Sequence, residues 1–290
     1  MSTGLPPGFK VSALTLSGQN LFVGSSDSCV FISTNSGATW TSADSGLPKQ
    51  PITCFALSNT NLFLGSWKGI FLSANNGASW SYDGLDFSIS SLAVSGANIF
   101  CATGLSVWLS NNNGSTWTLV DSGMGPNPVN TLFVFGPYIF AGTPDGVFRS
   151  ANNIIEWVPV KTGMPALTNI WCFANVGTTL FAGTQRGLYV SSNNGTNWNR
   201  ADTLFADKSV LSLAVLGENI FAGIYTGGIY LSTDKGNTWN SVSDGLPTQA
   251  TVTAFAISDS YLFAGVANGY YTTVVPTDGA WRRSLSELIP

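Results

Sequence analysis

The chain has 290 residues, 44% of them hydrophobic and only 9% charged, with a formal net charge of −4 and no histidine. So apolar and aromatic a chain is folded rather than disordered. An acidic balance without a basic run argues against a nucleic-acid partner, the missing histidine removes Ser–His–Asp and Cys–His catalysis, and no stretch is long and apolar enough for a spanning helix.

In chain order, "MSTGLPPGFK" comes first, with no apolar core of a signal peptide. Short apolar runs follow, each opening with a marker: "LFVG" at 21, "LFLG" at 62, "IFCA" at 99, "IFAG" at 139, "LFAG" at 180, "IFAG" at 220 and "LFAG" at 262. In the same phase Trp recurs at 40, 80, 117, 157, 198, 239 and 281. Between successive units lie "SGLP", "DGLD", "SGMG", "TGMP", "DTLF" and "DGLP". Within the fourth unit the signals are all strand-like: 129–135, 138–143 and 146–152, then "WVPV" at 157–160. Four short strands in about 40 residues, repeated seven times, predict an all-β, seven-bladed β-propeller with four antiparallel strands per blade. The expected domain is one propeller over 1–290. In it "WRRSLSEL" supplies the last fourth strand and "STGLPP" the linker after it, so that the ring closes linker to linker.

The turn before each Trp is itself repeated. "STNSGATW", "SANNGASW", "SNNNGSTW", "SSNNGTNW" and "STDKGNTW" end at Trp40, Trp80, Trp117, Trp198 and Trp239. An Asn or Asp in such a turn accepts backbone hydrogen bonds, and Gly supplies a positive φ. Asn35, Asn75, Asn112, Asn193 and Asp234, with their five Trp, are therefore expected to be structural staples, one per blade. The pattern resembles the Asp-box, or BNR, repeat family, whose motif is roughly Ser-x-Asp-x-Gly-x-Thr-Trp. Asn stands in place of Asp everywhere except Asp234, and the copy ending at Trp157 has lost its Gly. That resemblance implies a propeller. It spans sialidases, xyloglucanases, sortilin-type receptors and photosystem II assembly factors, so it implies no single activity.

Site candidates come from where the blades differ. The turn between second and third strands carries Asp27, Lys68, Leu105, Asp145, Arg186, Thr226 and Asn268 at one position, preceded by Ser26, Trp67, Gly104, Pro144, Gln185, Tyr225 and Ala267. In a propeller this turn and the interblade linker share a face. Trp67, Lys68, Tyr225, Asp27, Asp145, Gln185, Arg186 and Asn268 are thus candidate ligand-binding residues, with Trp171 near the start of an innermost strand. Trp108 aligns with core aromatics.

The reading is a non-catalytic binding or scaffold propeller that contacts a protein or a glycan. The alternatives are a lectin stacking sugars on Trp67, Tyr225 or Trp171, and a glycosidase using Asp27 and Asp145. A sialidase would need an Arg triad, and the arginines are Arg149, Arg186, Arg200, Arg282 and Arg283. No cofactor, metal site or nucleic-acid partner is expected. The repeat type and the Asn/Ser/Thr-rich surface point to a secreted or cell-surface protein of a bacterium, with the cytoplasm as the alternative. Cys29, Cys54, Cys101 and Cys172 lack metal spacing and are expected to be buried free thiols.

Overall fold

The computed structural model describes residues 4–6, 8–27, 29–151, 156–268 and 279–289. Seven antiparallel sheets follow one another along the chain, each with its strands in sequence order. They are the blades of a propeller, numbered here from the N-terminus. Blade 1 runs Val11–Ser17, Asn20–Ser25, Val30–Ser33 and Thr41–Ser42, from the innermost strand to the outermost. Blades 2 to 6 repeat that plan, and each ends in a two-residue outermost strand.

The second strands carry the apolar markers and are the most deeply buried. Phe22, Phe63, Phe140, Phe181, Phe221 and Phe263 are all within 1% of fully buried. Apolar residues on both faces of these strands leave no solvent side, so each blade needs a neighbour on either flank.

Hydrogen bonds between innermost strands tie the ring. Ser12 Oγ donates to the Ile52 carbonyl of blade 2 at 2.5 Å, and Ser90 Oγ to Val129 of blade 4 at 2.6 Å. Asn130 Nδ2 reaches the Ile170 carbonyl at 3.1 Å and Ser212 Oγ the Val252 carbonyl at 3.0 Å. The joint between the last and first blades has the same form, with Thr253 Oγ1 donating to the Val11 carbonyl at 2.9 Å. In blade 5, Trp171 occupies the position of Ser12, and the neighbouring Cys172 thiol faces the Val210 carbonyl at 3.8 Å instead.

Blade 7 departs from the sequence expectation. Its sheet consists of Ala250–Ile257, Tyr261–Asn268 and Gly279–Ser284. Trp281 pairs with Ala264, just as Tyr230 pairs with Ala222 and Phe148 with Ala141, so Trp281 sits in the third strand and not in a fourth. The side chain after it explains the register. Arg282 lies over the Tyr261 ring and donates to the Ser36 carbonyl of blade 1. Arg149, one residue after Phe148, lies over Tyr138 and donates to Asn194 of blade 5 at 2.6 Å. "WRRS" therefore repeats the device of "FRSA". The rest of the expected fourth strand is a short helix, Leu285–Leu288, whose two leucines are buried. Tyr271, which follows the marker Phe263 at the spacing of Phe148 from Phe140 and so matches a third-strand aromatic by sequence, lies outside the described residues.

Candidate functional site

One face of the ring is organised by a recurring bond. The first residue of the turn between second and third strands donates its N–H to the residue just before the innermost strand. Ser26 bonds Lys10 at 3.3 Å, Trp67 bonds Pro51 at 3.3 Å, Gln185 bonds Asn169 at 3.0 Å and Tyr225 bonds Ser209 at 2.9 Å. These bonds hold turn and linker together. Ser209 Oγ, bonded to the Gln185 carbonyl at 3.1 Å, and Thr226 N, bonded to Thr251 Oγ1 at 3.0 Å, link adjacent blades on this face.

The candidate residues differ sharply in their surroundings. Trp67 is 62% exposed, and Lys68 and Arg186 are exposed beside their glycines. Gln185 is half-buried and donates to the Leu167 carbonyl at 3.0 Å. Tyr225 and Trp171 are half-buried, and the Trp171 Nε1 is enclosed with no hydrogen-bond partner among the described residues. Asn268 does not sit in a turn. Pairs of Ala267 with Thr251 and of Asn268 with Ala250 extend the second strand of blade 7, making Asn268 a strand residue.

The two carboxylates are engaged separately. Asp145 Oδ2 meets Lys161 Nζ at 2.5 Å, and Asp27 lies 3.9 Å from Lys10 Nζ. Blades 1 and 4 each neutralise their own Asp. The turn cations Lys68 and Arg186 have no ion-pair partner among the described residues, where the only pairs are those of Lys10, Lys161, Lys235 and Arg283.

Apolar exposure concentrates over blades 2 and 3. The Trp67 turn ends at Gly69, where a Cβ would lie 2.6 Å from the Leu85 carbonyl oxygen. Leu85 leads to Phe87, 53% exposed, whose ring stacks on Trp108 of blade 3 at 6.1 Å. Trp108 donates its Nε1 to Thr103 Oγ1 at 3.1 Å, beside the turn that carries Leu105, itself 53% exposed. Trp67, Phe87 and Leu105 therefore form one sector. Sequence reasoning found Trp67 and missed Phe87, because the equivalent Phe9 of blade 1 is only 4% exposed against Phe31. The sequence signal was Trp108, wider than the Phe or Tyr at its position in blades 1, 2, 4, 5 and 6, with a Phe at 87 to meet it.

The repeated Asn-rich turns lie elsewhere, before the outermost strands, and close on themselves. Asn35 Oδ1 accepts from Ser33 Oγ at 3.0 Å and Thr39 N at 2.8 Å, while Gly37 N donates to Ser33 Oγ at 2.8 Å. Asn75, Asn112, Asn193 and Asp234 accept the same two bonds. The Thr238 hydroxyl, with backbone N–H groups, holds the Asp234 carboxyl down to about 2. The box glycines also make close approaches, since a Cβ on Gly77 would lie 2.3 Å from the Phe22 ring of blade 1. Trp40, Trp80, Trp157, Trp198 and Trp239 are buried between blades, whereas Trp117 is half-buried.

The four cysteines are free; Cys101 is buried, and burial drives the Cys54 thiol up to about 11 and that of Cys172 to about 12. Among the described residues no cluster of three or more His, Cys, Asp or Glu could hold a metal, and no helix is long and apolar enough to cross a membrane.

Solved structures share this architecture at low identity. YCF48 bound to a D1 peptide superposes with a TM-score of 0.76 at 14% identity, over 92% of this chain and 93% of that one. The extracellular domain of the putative one component system BT4673 from B. thetaiotaomicron gives 0.78 at 14%, over 93% of this chain and 39% of that one. The GH74 xyloglucanase from Xanthomonas campestris gives 0.76 at 15%, over 97% and 53%. At such identities the likeness is one of fold. No curated protein matches the sequence. Residues 129–285 match the family model described as the DUF6242 beta propeller domain.

Proposed function

The chain belongs to the DUF6242 beta-propeller domain family, and from that premise we propose that it is a non-catalytic propeller that binds a polypeptide on the face of its second-to-third-strand turns. The observation that carries this reading is Trp67. Its backbone is pinned to Pro51, yet its indole is 62% exposed, and Phe87 and Leu105 extend the apolar surface into blade 3. A rigidly held aromatic on a polar surface is what a binding hot spot needs. Among the structural neighbours, YCF48 has been solved with a peptide bound.

On this proposal the repeats are Asp-box-type staples, residues 1–290 act as one propeller domain, and Lys68 and Arg186 flank the bound chain. An extracellular site of action is part of the reading. It is supported by the sparse charge of the chain and by the extracellular bacterial domain among its neighbours. The geometry does not favour a paired-carboxylate glycosidase, since Asp27 and Asp145 each sit beside a lysine.

The test is a displayed peptide library panned in parallel against the wild type and Trp67→Ala. Selected peptides are expected to lose about 2 kcal/mol or more of affinity in the variant, with melting temperature unchanged. Peptides that bind both proteins equally would overturn the assignment of this face. A glycan-array signal without any peptide selected would turn the reading to a lectin.

A further inference from the structure

The outermost strands of blades 1 to 6 share one bonding scheme. The residue after each two-residue strand donates its N–H to the third strand of its own blade: Ala43 to Val30, Asp83 to Ile70, Val120 to Val107, Val160 to Val147, Ala201 to Leu188 and Val242 to Ile229, all at 2.8–2.9 Å. Between blades 1 and 2 this arrangement leaves a pocket of about 470 Å³, lined by Ile32 of the third strand, by residues 42–45 and by residues 76–78 of the blade 2 box. None of the second-to-third-strand turns lines it, so it is separate from the face that carries Trp67.

Several acceptors in these walls are already used. Trp80 donates its Nε1 to the Ala43 carbonyl at 2.8 Å and its N–H to the Ser45 carbonyl at 2.9 Å, while the Asp44 carbonyl receives the Leu47 N–H at 2.9 Å. Ser42 Oγ donates to Asp44 Oδ1 at 2.5 Å. Asp44 Oδ2 and the Asn76 carbonyl, by contrast, accept from no donor among the described residues, and Asp44 has no ion-pair partner there.

Two sibling joints show what this box carbonyl takes. Arg149 stands in blade 4 where Ile32 stands in blade 1, and it donates to the Asn194 carbonyl of blade 5 at 2.6 Å. Arg282 holds the same place in blade 7 and donates to the Ser36 carbonyl of blade 1. Asn194 and Ser36 are the box positions that correspond to Asn76, and all three have φ of 54–55°, so their carbonyls are presented alike. The joint of blades 1 and 2 has the carbonyl but an aliphatic side chain in place of the arginine. It adds a carboxylate, Asp44, where blade 4 has Lys161. The acid at that position in blade 5, Asp202, instead caps its own linker by accepting from the Leu204 N–H at 2.8 Å.

We propose that the pocket between blades 1 and 2 is a docking site for an arginine side chain of a partner protein. The aliphatic stem lies along Ile32, and the guanidinium donates to the Asn76 carbonyl and pairs with Asp44 Oδ2. Its planar fork carries several donors and serves both acceptors at once, whereas a lysine ammonium is a single point of charge. The net charge of −4 on the chain favours the approach of a basic partner.

The test titrates the full, nitrogen-15-labelled chain with the blocked peptide acetyl-Gly-Ser-Arg-Ser-Gly-amide. The backbone signals of Asp44, Asn76 and Gly77 are expected to shift together and saturate at one peptide per chain. The same peptide with citrulline keeps the shape, loses the charge and binds at least about tenfold more weakly, the effect of a lost charged hydrogen bond. Asp44→Asn weakens the arginine peptide by a similar factor. Ile32→Arg supplies a guanidinium from inside, as Arg149 does, and abolishes binding with the melting temperature retained. Trp67→Ala binds the peptide as the wild type does, which separates this site from the peptide-binding face. Should Ile32→Arg fail to fold, the citrulline peptide and Asp44→Asn still decide the matter. Equal binding of the arginine and citrulline peptides overturns the proposal. So do shifts at Asn76 that survive Asp44→Asn undiminished, spectra unmoved by millimolar peptide, or free arginine binding more tightly than the peptide, which would make the pocket a small-molecule site.

Discussion

The carboxyl of Asp83 stands directly against Gly114, so closely that a methyl group there would fall 1.8 Å from Oδ2. Asp83 Oδ2 is enclosed without a hydrogen-bond partner among the described residues, and desolvation raises the carboxyl from 3.8 to about 6. The protonated form is favoured in the folded state. Its stabilising contribution is complete below about pH 4 and is lost as pH rises through 6. Val occupies the equivalent position in three other blades. Asp83→Val is expected to raise stability at pH 7.5 by roughly 1 kcal/mol, a figure discounted for the half-exposed side chain, with the gain vanishing near pH 4. Urea unfolding at the two pH values checks it; an equal gain at both would mean that packing, not ionisation, is responsible.

Gly77 and Gly96 separate two reasons for glycine. Both have positive φ, at 80° and 60°, but a Cβ on Gly77 would strike the Phe22 ring and one on Gly96 meets nothing within 4 Å. Gly96→Ala is expected to cost about 1 kcal/mol for the left-handed backbone alone. Gly77→Ala adds overpacking, for a total of about 3 kcal/mol or more. Denaturant midpoints of the two variants measure the difference.

Trp198 is 1% exposed and bonded to the Val160 carbonyl at 2.8 Å, whereas Trp117 is only half-buried and reaches Asp83 at 3.3 Å. Trp198→Ala should cost about 3–5 kcal/mol, in the range of buried aromatic truncations. Trp117→Ala should cost clearly less, and a reversed order in thermal unfolding would contradict the burial seen here.

Asp145→Ala breaks the ion pair with Lys161, whose side chains are 32% and 39% exposed. Its effect on stability is expected to stay within about 1 kcal/mol and to shrink in high salt. Melting temperatures at low and high ionic strength test this.

The ring was legible because its period is carried by three separate kinds of residue: the second-strand Phe, the box Gly and the marker Trp. The Phe recurs in all seven blades, the marker Trp in blades 1 to 6 and the Gly in all of those but blade 4, each for a reason of packing. Blade 7 was misread because Trp281 satisfies the spacing of a marker Trp, while the Arg after it obeys the third-strand pattern set by Phe148 and Arg149. A single aromatic carries no strand number, and the Arg stacked on the second-strand Tyr does. At the candidate site, the exposure of Trp67 could be foreseen from its unlike siblings. The sector it forms with Phe87 and Leu105 depends on how one linker runs past a neighbouring turn, which no residue spacing records. Asp83 announced itself only as an acid where other blades carry Ala or Val.

The bond from Thr253 to Val11 spans 242 residues of chain, whereas its counterparts join residues about 40 apart. The six local joints can form as the chain folds, each closing a short loop. The seventh has to wait for nearly the whole polypeptide to be in place, and its entropic cost falls on that last event. This joint should therefore set the pace of refolding and be the first to open under load. A circular permutant that links the present ends and breaks the chain at the linker between blades 3 and 4 should move the slow step to that new gap, with the folded ring unchanged.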